Sequence, residues 1–280
     1  MDFHARQQNI KRSYIVCSTG RSGSTLLCKT LAQLNQFGNP DEYFHHRNHL
    51  NRLQLKEKPE GFISYFESVL DQGLSHNGVF AIKMHWWQLY DFWEITRQLD
   101  EFKGMNEVEI LHDVFPNLKF IYIWRQDMIA QAVSTEIALQ TGEWVKGSKR
   151  FNAGSSSPPE EHMNLETGRH EAEPSIKFRP LKIYRWEQKF KDQNRRWQQF
   201  FTDYQLDHHE LTYERLTSNF EQEVMDVIKF LELEPEVDHS RLKMPTRRQA
   251  NTVNEEFTTC YKAFPPVFLR GMNKLNVLFS

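Results

Sequence analysis

The chain holds three cysteines in 280 residues, Cys17, Cys28 and Cys260. Three thiols cannot all pair, and their spacing is not that of metal ligands, which excludes a disulfide framework or a zinc module. Cys17 and Cys28 fall in apolar runs and read as buried, reduced thiols. No apolar run approaches the roughly 20 residues of a membrane-spanning helix. The opening stretch from Met1 to Ser13 is polar and lacks the apolar region of a secretory signal. The compartment expected from these absences is the cytoplasm. The net charge is −2 and the pI is near 6.6, so binding nucleic acid through bulk positive charge is excluded. A Gly-Lys-Ser/Thr sequence is missing too, and with it an intact Walker A loop.

What stands in its place is Ser18-Thr19-Gly20-Arg21-Ser22-Gly23-Ser24-Thr25. It follows the apolar run Tyr14-Ile15-Val16-Cys17, which reads as a buried strand, and leads into Leu26-Leu27-Cys28-Lys29-Thr30-Leu31-Ala32, which reads as a helix. Strand, small-residue loop and helix together aim backbone N–H groups and the positive end of a helix dipole at an anion. Aligned with a Walker loop, Ser24 occupies the lysine position and the cation moves to Arg21. The loop suits a phosphate or sulfate without the Mg-assisted transfer of a γ-phosphoryl group.

Further strands are expected at Val79-Phe80-Ala81-Ile82-Lys83, at Leu118 to Trp124 after the Pro116-Asn117 turn, and at Leu211-Thr212-Tyr213. Helices are expected at Asp127–Leu139, at Gln188–Tyr204 and at Thr217–Leu231, where Phe220, Val224, Ile228 and Leu231 share one face. Short apolar strands alternating with helices predict an α/β protein with a parallel sheet flanked by helices in one domain. Residues 1–12 read as a tail and 13–280 as the domain. Residues 146–175, rich in Gly, Ser, Pro, Glu and His, read as a surface loop or as a lid or partner-contact segment.

Lys83, His85 and Trp86 follow the second strand, and Trp197 lies on the long aromatic helix; such residues suit either a sugar ring or ordinary packing. His45, His46 and His49 lack metal-ligand spacing, so no metal is expected. Tyr213-Glu214 reads as a structural strand-to-helix junction.

The chain resembles the bacterial carbohydrate sulfotransferases typified by trehalose 2-sulfotransferases. The resemblance rests on four motifs in order: Arg21-Ser22-Gly23-Ser24-Thr25-Leu26-Leu27, Glu42-Tyr43-Phe44, Gln131-Ala132-Val133-Ser134 and Tyr213-Glu214-Arg215-Leu216. It implies a P-loop-like fold and transfer of a sulfuryl group from 3′-phosphoadenosine 5′-phosphosulfate (PAPS) to a hydroxyl of a carbohydrate or glycolipid. Arg21, Ser22, Gly23, Ser24 and Thr25 would hold the donor, with Arg21 also acting catalytically. Arg125 and Ser134 would bind the 3′-phosphate, although the family spacing points at Gln126 rather than Arg125. Arg247, in a late basic loop, is a further phosphate ligand by the same resemblance. Glu42 would activate the acceptor, with a histidine as the alternative base, and Tyr43 would line the acceptor site beside Lys83, His85, Trp86 and Trp197. The loop has Gly20 where the family usually has proline. A homodimer is compatible with this reading. Two alternatives stay open: a P-loop kinase of a small molecule, and a phosphonucleotide-binding protein without turnover.

Overall fold

Strand β1, Arg12–Ser18, lies between β2, Val79–His85, and β3, Leu118–Trp124; β4, His208–Thr212, adds to the far side of β3. Every pairing is parallel, and the order is β2-β1-β3-β4. The computed structural model describes residues 7–45, 54–144, 176–233, 242, 244, 252–265, 267–271 and 273. The chain divides into two compact units, one drawn from residues 1–126 and 191–245, the other from 127–190 and 246–280.

The first unit holds the sheet. Its helices are α1, Ser24–Gln33; α2, Phe62–Gly73; α3, Trp86–Thr96; and α4, Glu107–Val114. Helix α5, Met128–Thr141, belongs to the second unit, and α6, Pro180–Asp203, runs through both. After β4 come α7, Tyr213–Ser218, and α8, Phe220–Phe230, and the second unit resumes with α9, Thr252–Lys262.

Strand alternation sorts the core into two faces. Ile15, Cys17, Phe80, Ile82, Met84, Phe120 and Tyr122 pack with α2, α3, α4 and the last turns of α6. Tyr14, Val16, Val79, Ala81, Ile121, Ile123 and Leu211 pack with α1 and α8. Both faces are covered, which is why the strands read as continuous apolar runs. Cys17 and Cys28 are buried as expected, and burial pushes the Cys28 thiol up to about 12.

Register decides where the chemistry can sit. Ser18 pairs with His85 and with Ile123, and Trp124 pairs with Thr212. The segments leaving β1, β2, β3 and β4 therefore emerge along one carboxyl edge. The chain goes one way from β1 to β2 and the other way to β3, so the β1 loop lies at the switch point where α/β sheets place ligands.

In the second unit α5 starts at Asp127, whose side chain accepts from the Ala130 N–H at 2.8 Å, and ends at Gly142 in the left-handed region. Its core joins Ala132, Val133, Ile137, Ile183, Phe190, Tyr261 and Leu269. The Tyr261 hydroxyl donates to Glu187 Oε2 at 2.7 Å, so Glu187 is part of that interior.

The expected fold class is present. The helix expected at Thr217–Leu231 is two helices, because Asn219 leaves helical geometry (φ −127°, ψ 47°). Residues 146–175, His46, His49 and Arg247 lie outside the described residues.

Phe66 is fully buried and its ring meets Phe44, Phe62, Phe80 and Phe115. Phe66→Ala should cost about 3–5 kcal/mol. Urea unfolding should show a lower midpoint; an unchanged midpoint would remove this cluster from the core.

Candidate active site

The loop after β1 turns on two residues with positive φ, Arg21 at 61° and Gly23 at 87°. Left-handed geometry at Arg21 costs on the order of 1 kcal/mol, and successive turns of this kind make a concave nest of N–H groups. Gly23 caps α1 without a side-chain cap, and no acidic residue occupies the first turn of α1. That helix end therefore keeps its positive dipole for an external anion. Ser22 Oγ is fully buried and has no hydrogen-bond partner among the described residues.

Tyr213, at the start of α7, holds the loop from one side. A Cβ on Gly23 would stand 2.7 Å from Tyr213 Cδ2. The Arg125 guanidinium lies 4.7 Å from the centre of the Tyr213 ring, and its Nε is 3.9 Å from Glu214 Oε1. Glu214 Oε2 also accepts the Gln126 N–H at 3.0 Å. The Tyr-Glu junction thus ties the end of β3 to the loop. Burial lowers the pKa of Arg21, and the neighbouring charge of Arg125 lowers it further. Two cations brought together at a helix N-terminus make a site complementary to an anion.

The other side of the loop meets β2. Lys83, 4% exposed, places Nζ 3.2 Å from Thr25 Oγ1 and 2.7 Å from Glu42 Oε1. His85 Nε2 is 3.5 Å from the same Glu42 oxygen, and Nδ1 is 2.9 Å from Ser18 Oγ. Gln88 completes the setting: Nε2 donates to Glu42 Oε2 at 3.1 Å, while Oε1 accepts the His85 N–H at 2.7 Å. Burial opposes the charge on Glu42, but His85 and Lys83 outweigh it and hold the carboxyl far below the usual carboxylate range. Burial likewise opposes the charge on Lys83, and Glu42 outweighs it, raising the ammonium pKa. A ring of contacts thus runs from Ser18 through His85, Glu42 and Lys83 back to Thr25.

Several sequence-derived candidates face inward. Tyr43 is buried and its hydroxyl donates to Asn39 O at 2.6 Å. Trp197 is fully buried, and its indole N–H donates to Ser18 O at 3.1 Å. Trp86 stacks edge-on against Trp93 and Trp197. Ser134 is half-buried on α5 in the second unit. Gln88 escaped the sequence reading because a glutamine in an apolar helix carries no signal until its partner is known. A separate cavity of about 630 Å³ lies in the second unit, lined by Lys177, Arg179, Lys182, Arg185, Lys189 and Trp186 among others; none of the candidates lines it.

Breaking a buried ion pair at one end leaves the other charge stranded. Glu42→Gln should cost on the order of 3 kcal/mol at neutral pH, the lower end for such pairs because Glu42 keeps some solvent. Adding Lys83→Met to that variant should restore part of the loss. The Glu42 pKa is depressed in the fold, so the stabilisation is present above the unfolded value of about 4.3 and fades as pH falls below it. Chemical denaturation of the single and double variants at neutral and acid pH checks this; a double variant less stable than either single one would contradict it.

A model of the family described as Stf0 sulphotransferase matches residues 13–264. A trehalose 2-sulfotransferase of Mycobacterium tuberculosis (strain ATCC 35801 / TMC 107 / Erdman) is 25% identical over 282 residues, covering 91% of this chain and 96% of that protein. A trehalose 2-sulfotransferase of Mycolicibacterium smegmatis (strain ATCC 700084 / mc(2)155) is 26% identical over 162 residues, covering 47% of this chain and 58% of that protein. The match takes in β1 from Ser13 onward, the other three strands, the loop, Glu42 and Lys83, and the chain belongs to the Stf0 sulphotransferase family.

Proposed function

We propose that the protein transfers a sulfuryl group from PAPS to a hydroxyl of a carbohydrate or glycolipid. The observation that carries this reading is the bridge made by Lys83 between Thr25 in the anion loop and Glu42. It sets a carboxylate base beside the place where an anionic donor would lie. The relatives' names support a sugar as acceptor.

PAPS, when bound, supplies the sulfuryl group on an anhydride to a 5′-phosphate. The loop fits such a group on its own terms: a buried Ser22 hydroxyl without a partner, an uncapped helix N-terminus, and Arg21 close to Arg125. Arg21 and the loop N–H groups stabilise the negative charge left on the 5′-phosphate side. By resemblance alone, Arg125, Ser134 and Arg247 are each candidates for the 3′-phosphate. Glu42 accepts the proton of the acceptor hydroxyl while the acceptor oxygen bonds to sulfur and the bond from sulfur to the 5′-phosphate oxygen breaks. His85 and Gln88 orient the carboxylate, and Trp86, Trp197 and Tyr43 support the floor beneath the acceptor.

Lys83 adds timing. Paired with Lys83, Glu42 is ionised but weakly basic. An anion at Thr25 competes for the same ammonium, and each fraction of pairing lost returns basicity to Glu42. The base is therefore strongest when a donor is present.

Three measurements follow. The protein should bind 3′,5′-adenosine bisphosphate in calorimetry without Mg and far better than ATP; tighter Mg-dependent ATP binding would sink the reading in favour of a kinase. Arg21→Ala should lose about 10²–10³ in turnover, as for removal of one preorganised donor, whereas near-normal turnover would take Arg21 out of the mechanism. Glu42→Gln should keep bisphosphate affinity and lose about 10²–10⁴ in turnover. A variant within a few-fold of wild type would move the base to His45, His46 or His85.

A further inference from the structure

Asn194 lies on α6 in the part of the helix that belongs to the first unit. It is 4% exposed, and neither Oδ1 nor Nδ2 has a hydrogen-bond partner among the described residues. A carboxamide buried with neither half satisfied is expensive and rare in a native core. The flanking residues of the same buried stripe, Trp197 and Phe201, are apolar and fully used in packing.

Contacts along α6 show where Asn194 stands relative to the sheet. Phe201 packs on Phe120 and Tyr122, which stand in register with Ile15 and Cys17 of β1. Trp197, one turn earlier, donates its indole N–H to Ser18 O, at the last residue of β1. The helix therefore runs antiparallel to the strands, and its earlier residues pass beyond the carboxyl edge. Asn194 precedes Trp197 by three positions, on the same face and about 4.5 Å further along the axis. That places it over the edge from which the anion loop leaves. The ring of Trp197 is also 5.0 Å from that of Trp86, the residue after His85, so this is the β1–β2 side of the edge, where Glu42 is held.

Chemistry narrows the occupant. Sulfuryl and phosphate oxygens only accept, and would leave Oδ1 unsatisfied. A carboxamide finds a partner for both halves in adjacent hydroxyl groups, each of which donates and accepts. We infer that Asn194 is an acceptor-binding residue, its amide gripping a pair of neighbouring hydroxyls on the sugar whose hydroxyl meets Glu42. This rests on the proposed sulfuryl transfer to a carbohydrate. It assigns part of the choice of acceptor to a residue that touches neither the loop motif nor the base.

The test uses Asn194→Leu, which keeps shape and removes both polar atoms, with Asn194→Asp as a second variant should the first fail to fold. Trehalose is the probe, titrated by calorimetry into enzyme saturated with 3′,5′-adenosine bisphosphate, alongside KM and kcat for sulfate transfer to it. Wild type must bind both; if it binds the bisphosphate but no sugar and transfers nothing, the proposed reaction itself fails and the inference with it. With wild type active, the expected result is at least a ten-fold loss of trehalose affinity and a matching rise in KM in Asn194→Leu. Bisphosphate affinity should stay within two-fold and the melting temperature should be unchanged or higher. Weakened bisphosphate binding with unchanged KM would make Asn194 a donor contact and overturn the assignment. A lower melting temperature with unchanged KM would make it the anchor of a buried water, and would overturn it equally.

Discussion

The contact on which the site depends is the Lys83 ammonium, buried between Glu42 and Thr25. A lone ammonium at that depth would lose its proton or leave the interior. It stays because a carboxylate lies 2.7 Å away, and the carboxylate stays ionised because His85 and this ammonium both face it. Each partner makes the other possible, and together they join β2, the anion loop and the segment after α1.

The parallel register makes that contact available. Ser18 and His85 are paired neighbours at the ends of β1 and β2, so the imidazole reaches the loop's first hydroxyl on one side and Glu42 on the other. On the β3 side the same edge brings Arg125 over Tyr213, and Tyr213 closes on Gly23. The loop is clamped between these two arrangements. Its own turn is unfavourable at Arg21, and the two clamps hold that strained backbone in place.

Much of this was legible in the sequence. Apolar runs bounded by turn residues located β1, β2 and β3, and Leu118–Trp124 was placed to the residue. The anion loop declared itself through small residues between a strand and a helix. Strand β4 was half visible, because His208, His209 and Glu210 carry no strand signal and become a strand only by pairing with Phe120, Ile121 and Tyr122. The break at Asn219 was hidden by an apolar period that continues across it. Lys83 read as a residue for the acceptor; its link to Glu42 spans a long stretch of chain and follows from tertiary register alone. Gln88 and Asn194 stayed silent for the same reason: an amide in a helix signals nothing until the fold shows whether it has a partner.

The central claim is that His85 and Lys83 together set the charge and basicity of Glu42, Lys83 through the direct 2.7 Å contact. The direct measurement is a ¹³C-detected titration of the Glu42 side-chain carboxyl, in wild type and in Lys83→Met. The account predicts no protonation in wild type until the pH is far below the ordinary glutamate value of about 4.3, and a midpoint moved up toward that value once Lys83 is gone. A wild-type carboxyl that titrates near the ordinary value, or one that Lys83→Met leaves unmoved, would contradict it.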